Sequence, residues 1–132
     1  MKDYLLDTHV FLWWACGSSK ISQLHRDILA TPSSANVWLS VVSAWEATIK
    51  EANGKLQLPT PPLDFFRQAS TKYGFKILNV HLAHATGVGQ IPALHSDPFD
   101  RLLMSQARVE GFTLLTDDVT IRRYQLDGLD IL

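Results

Sequence analysis

The chain has 132 residues, of which 46% are hydrophobic and 19% charged, with a formal net charge of −1. That length fits one domain, residues 1–132, with a real hydrophobic core, and that balance excludes a disordered chain. It also excludes a global basic field, so any nucleic-acid binding must rely on a local patch or on metal ions.

The predicted elements alternate from the start. "MKDYLLDTHVFLWWA" opens with an apolar run that superficially suggests a signal peptide. Asp7 and His9 interrupt it, and it is far too short to span a membrane, so it reads as a strand (4–6) followed by a helix (8–15). Cys16 is the single cysteine, which rules out an intrachain disulfide and a cysteine zinc site and favours a reducing cytoplasm. Residues 19–30 have helical spacing, with Ile21, Leu24, Ile28 and Leu29 on one face and Ser18 or Ser19 as cap. "VWLS" (37–40) reads as a second buried strand. The segment 43–54 then puts Trp45, Ile49 and Ala52 on one helical face and stops at Asn53-Gly54. A helix over 61–74 starts at proline and ends at glycine. "FKILNV" (75–80) and "FTLLT" (112–116) read as strands, and "LDIL" as an edge strand. Between them, Pro98 starts a helix that Ser96 or Asp97 caps and Gly111 stops. Strands alternating with helices predict an α/β fold: a mostly parallel central sheet flanked by helices on both faces.

Acidic residues recur where that sheet would bind a ligand. Ligands of open parallel sheets lie outside the carboxyl ends of the strands. Asp7 closes the first strand, and Asp117 and Asp118 follow the strand 112–116. Ser43 and Glu46 sit in the first turns of the helix after the second strand. Asp100 lies three residues before Leu103 and four before Met104, so it extends an apolar helical stripe toward the core. Asp97 lies one turn before it, so the pair can point into one site.

Each acid alone has an ordinary explanation. Asp97 caps a helix, Asp100 is a first-turn acid, Glu46 pairs with Lys50 at i, i+4, and either aspartate of the doublet starts a turn or caps the last helix. Their coincidence at one sheet edge favours a shared site. Clustered carboxylates repel and raise each other's pKa, and divalent cations relieve that. An oxygen-only donor set suits Mg²⁺ or Mn²⁺ over zinc or copper. Carboxylate-held ion pairs are the usual apparatus of phosphodiester chemistry.

Other features read less specifically. His81 and His84 are three residues apart and His95 is near Asp97, but two helical histidines without a clear third ligand read as surface or core. Trp13, Trp14, Trp38 and Trp45 read as core or dimer contact rather than base-stacking platforms. Arginines near the acidic crevice, among Arg101, Arg108, Arg122 and Arg123, are candidates to meet phosphates. "GVGQIP" is too poor in glycine for a nucleotide loop. An aspartyl-phosphate phosphatase wants a second aspartate two residues after the nucleophile, where "LLDTHV" has His9.

Four stretches, "YLLDTHVFLWW", "SVVSAWEATIK", "HSDPFDRLLMSQA" and "LLTDD", resemble in order and spacing the PIN-domain ribonucleases of the VapC toxin type, over essentially the whole chain. The resemblance matches Asp7, Glu46, Asp100 and Asp118 to that family's acids, with Asp97 as the extra acid of the "DPFDR" subgroup. Thr8, Ser43 and Thr116 fall where such domains keep supporting hydroxyls. It implies Mg²⁺- or Mn²⁺-dependent cleavage of RNA, with Asp7, Asp100 and Asp118 holding metal and Glu46 completing the site or orienting water. It also implies a homodimer, inhibition by a cognate antitoxin, and operator DNA bound only through the toxin–antitoxin complex. The alternative is a non-cleaving PIN-like domain that binds RNA or serves as a scaffold. In the doublet, an extended chain beyond residue 116 would turn Asp118 to the face of Leu114 and Thr116, leaving Asp117 auxiliary.

Overall fold

The computed structural model describes residues 1–31 and 33–132. Five strands, β1 (Lys2–Leu6), β2 (Ala35–Ser40), β3 (Lys76–Leu78), β4 (Thr113–Leu115) and β5 (Asp130–Ile131), form one sheet in the order β3-β2-β1-β4-β5. Every neighbouring pair is parallel. Among the described residues six α-helices connect them: α1 (Thr8–Ala15), α2 (Gln23–Leu29), α3 (Val41–Ala52), α4 (Pro62–Thr71), α5 (Leu82–Gly87) and α6 (Pro98–Glu110). The expected mostly parallel α/β sheet is therefore the one observed. Among the described residues, no helix is long and apolar enough to cross a membrane.

The pleat sorts the core into two layers. In β1, Leu6 packs with Phe11 of α1 and Phe65 and Phe66 of α4, while Leu5 packs with Leu103, Met104 and Ala107 of α6. In β4, Leu115 joins the first layer and Leu114 the second. Successive strand residues point to opposite faces, so helices cover both sides, and strands buried on both faces read as continuous apolar runs. Leu5, Leu6, Leu114 and Leu115 are fully buried, each contributing about 1.5–3 kcal/mol of transfer free energy.

Two helices differ from the sequence expectation. Ser22, not Ser18 or Ser19, caps α2: its Oγ accepts the His25 N–H at 3.1 Å. Ser18 Oγ is instead engaged in a turn with the Lys20 N–H. Ile21 is buried ahead of the helix, and Leu24 is 52% exposed. Helix α3 starts at Val41, two residues early, because Ser40 at the end of β2 caps it through the Val42 N–H. Its expected core face is turned outward, with Trp45 57% and Ile49 36% exposed. Val42, Ser43, Glu46 and Ala47 are buried instead.

The histidine pair has a structural role. His84 is buried, its Nε2 is 2.8 Å from Glu110 Oε1 of α6, and its Nδ1 accepts the His81 N–H. This ties α5 to α6.

A candidate metal centre at the carboxyl ends of the strands

The centre begins where β1 and β4 end side by side. Leu6 pairs with Leu115, so the next residues, Asp7 and Thr116, are neighbours. The Asp7 N–H donates to Leu115 O at 2.9 Å. Asp7 also caps α1: its Oδ1 accepts the Thr8 N–H at 2.7 Å, and its Oδ2 accepts the Thr116 hydroxyl at 2.7 Å. The residue is only 3% exposed. Burial pushes its pKa up, against the lowering effect of the Thr116 hydrogen bond.

Helix α3 brings its polar face to the same place. Thr8 Oγ1 is 2.8 Å from both Ser43 Oγ and Glu46 Oε1, although 35 and 38 residues separate them in sequence. All three residues are buried. Lys50, one turn after Glu46, closes on Glu46 Oε2 at 2.5 Å. Burial opposes the Lys50 charge, but the Glu46 carboxylate outweighs it and holds that pKa above its usual value. The i, i+4 pair expected from sequence exists, and it lies in the site rather than on a solvated face.

Helix α6 and its cap supply two further acids. Asp97 caps it, with Oδ1 accepting the Phe99 and Asp100 N–H groups at 2.8 and 3.3 Å. One carboxylate oxygen from each of Glu46, Asp97 and Asp100 lies within 4.8 Å of the others. Asp100 belongs to a second such group with His95 and Asp118. Its pKa is pushed up to about 8, first by burial and then by Asp7, Asp97, Glu46 and Asp118. Asp7 stands outside both close groups, yet it is near enough to be the foremost charge acting on Asp100.

The doublet resolves by a different route from the one expected. β4 ends at Leu115 rather than running on. The Thr116 hydroxyl oxygen accepts the Asp118 N–H at 3.0 Å, a short side-chain turn that bends the chain. Asp118 is half-buried and reaches the acidic group, whereas Asp117 is exposed and reaches neither.

His95 is the residue that sequence reasoning did not assign to the site. Its Nε2 lies 2.8 Å from Asp100 Oδ2 and 3.6 Å from Asp118 Oδ2. That nitrogen is shielded from solvent and makes no well-directed hydrogen bond. The loop carrying it is held in place: Arg101 donates to the carbonyls of Ile91, Pro92 and His95, and Tyr124 Oη accepts the His95 N–H. Its position two residues before the Asp97 cap was the available signal. Arg101 thus serves the loop rather than standing free for phosphate.

The donor set fits a divalent cation. It is almost entirely carboxylate oxygen, the two close groups share Asp100, and the His95 ring nitrogen lies against Asp100 in one of them. A cation would offset the burial, and the repulsion from neighbouring carboxylates, that together push the Asp100 pKa up to about 8.

A PIN-domain family model matches residues 4–126. Ribonuclease VapC22 of Mycobacterium tuberculosis is 29% identical over 131 residues, covering 95% of this chain and 94% of that protein. The fold is similar to that of a chain of VapBC2 from Rickettsia felis bound to a DNA fragment from its promoter. There the TM-score is 0.71, the identity 14%, and the coverage 98% of this chain and 97% of that one. It is also similar to a chain of DNA-bound VapBC from Salmonella typhimurium, with a TM-score of 0.68, 16% identity, and coverage of 100% and 98%.

Proposed function

The chain belongs to the PIN-domain family, and from that premise we propose that it is a Mg²⁺- or Mn²⁺-dependent ribonuclease, the toxin of a type II toxin–antitoxin pair. The observation that carries the nuclease reading is the buried acidic centre in which Asp100 takes part in two close ligand groups. The toxin role draws on the likeness to Ribonuclease VapC22. By the same analogy the partners are RNA as substrate, a cognate antitoxin, and a second copy of this chain. Operator DNA would be contacted through the antitoxin, in the cytoplasm, with residues 1–132 acting as one PIN domain.

In this reading Asp7, Glu46, Asp100 and Asp118 would hold the cation, which would supply Lewis acidity at the scissile phosphate and lower the pKa of water. Thr116 and the Thr8 amide fix both oxygens of Asp7, so that the carboxylate is oriented in advance. Thr8 and Ser43 orient Glu46, while Lys50 balances its charge. Asp97 and Asp117 are auxiliary, Asp97 by holding the first turn of α6 around Asp100. No side chain forms a covalent bond to substrate, and exposed Cys16 takes no part.

The test is incubation of the pure protein with RNA and Mg²⁺ or Mn²⁺, then with EDTA. Cleavage should require the cation and stop with chelator. Full activity in EDTA would sink the reading, and RNA binding without cleavage at any cation would favour the non-cleaving alternative.

A further inference from the structure

A cavity of about 380 Å³ opens beside the acidic centre, with Thr8 and Lys50 common to both. It is at the lower end of the range of small-ligand pockets, about 300–1,000 Å³. One wall is α1, where His9 and Trp13 stand one turn apart with ring centroids 6.0 Å apart and planes at 46°. Trp13 is half-buried and leans on the apolar core with one side while lining the cavity with the other. Leu12, Ala47 and Leu56 add apolar floor, and Cys16, Lys50 and Lys55 lie around the rest of the lining. Ring faces, an apolar floor and the Lys55 ammonium, which unlike that of Lys50 is not engaged by Glu46, are complementary to one nucleotide: a flat base to stack and a phosphate to neutralise.

We propose that this cavity is the subsite for one unpaired nucleotide of the RNA next to the scissile phosphate, its base stacked on Trp13 and its phosphodiester held by Lys55. The inference rests on the ribonuclease reading, because the acidic centre is what locates the scissile phosphate. The chain as a whole carries a net charge of −1, so a local cation, Lys55, beside a stacking surface is what lets an anionic strand approach the acids. The Lys55 ammonium beside the ring faces of His9 and Trp13 favours a nucleotide over an apolar peptide segment as the occupant. Trp13, which sequence spacing assigned to core or dimer contact, thereby gains a second use on its outer side.

The test compares wild type, Trp13→Ala, Trp13→Phe and Lys55→Glu. Binding of a labelled single-stranded RNA of mixed sequence is followed by anisotropy in EDTA, so that it does not depend on cleavage. Melting temperature checks folding. Trp13→Ala should weaken binding about tenfold, the weight of one stacked base. Trp13→Phe should stay within about threefold while losing most of the tryptophan quenching that RNA causes in the wild type. Lys55→Glu should weaken binding and flatten its salt dependence. Wild-type affinity in both Trp13→Ala and Lys55→Glu would overturn the subsite. So would Trp13→Ala abolishing neutralisation by the antitoxin with RNA binding unchanged, which assigns the cavity to the protein partner. Cleavage is scored separately with Mg²⁺. RNA binding that needs Trp13 but is never followed by cleavage would sink the nuclease reading and leave the cavity as an RNA-binding site only.

Discussion

Thr116 donates its hydroxyl proton to Asp7 Oδ2 at 2.7 Å, joining the ends of two adjacent strands across 109 residues of sequence. Both residues are buried, so neither polar group has water as a substitute. Thr116→Val keeps the shape and removes the donor. We expect a loss of about 1–3 kcal/mol in unfolding free energy, measured by urea denaturation of the metal-free protein. Thr116→Ser should retain most of the stability. A valine variant as stable as wild type would mean that the bond carries no weight.

Stability should fall as pH rises when no cation is present. Asp100 has its pKa raised to about 8 in the folded protein and near 3.8 when unfolded. Between those values the folded state binds more protons than the unfolded state, so each step up in pH favours unfolding. Asp7 is shifted in the same direction by burial. The melting temperature in EDTA should therefore decline from about pH 4 to about pH 8. Asp100→Asn should flatten that decline. A melting temperature that climbs with pH across this window contradicts the assignment.

Millimolar Mg²⁺ or Mn²⁺ should raise the melting temperature at pH 8, because a ligand bound only by the native state stabilises it. The shift should be smaller in Asp7→Asn, which should also lose cleavage while remaining folded. Equal shifts in both proteins would point to a nonspecific ion effect.

Asp118→Asn should be nearly inactive in RNA cleavage at saturating Mg²⁺, whereas Asp117→Asn should keep measurable activity. Asp118 stands in a close group with Asp100, and Asp117 is exposed outside it. The reverse ranking, with both variants folded, would overturn this assignment.

His95→Ala should weaken cation binding and cleavage by about 10–100-fold, the usual effect of losing a group that orients or supplements metal ligands. The measurement is Mn²⁺ titration followed by electron paramagnetic resonance, beside the cleavage rate. Unchanged Mn²⁺ affinity would reduce His95 to a feature of the metal-free protein.

Local rules in the sequence determined the strands, the Asp97 cap with Pro98 after it, the stop at Gly111, and the placement of acids after β1 and β4. Those features depend on neighbours within a turn or on alternation along one strand, and such information is contained in a short window. Strand alternation and the PIN-type resemblance both pointed to Asp118 over Asp117; the fold places Asp118 in a close group with His95 and Asp100 and leaves Asp117 exposed. Tertiary structure alone decided the rest. Helix α3 has apolar residues on two sides, and spacing favoured Trp45, Ile49 and Ala52 as its buried face. The fold buries Val42, Ser43, Glu46 and Ala47 instead, because Thr8, 38 residues away from Glu46, offers its hydroxyl there. Asp118 reaches the site through a turn closed by Thr116, not through an extended strand. His95 enters because Arg101 and Tyr124 hold its loop over the acids. Which way a side chain faces depends on long-range partners that only the packed sheet brings into contact, and no local period encodes them.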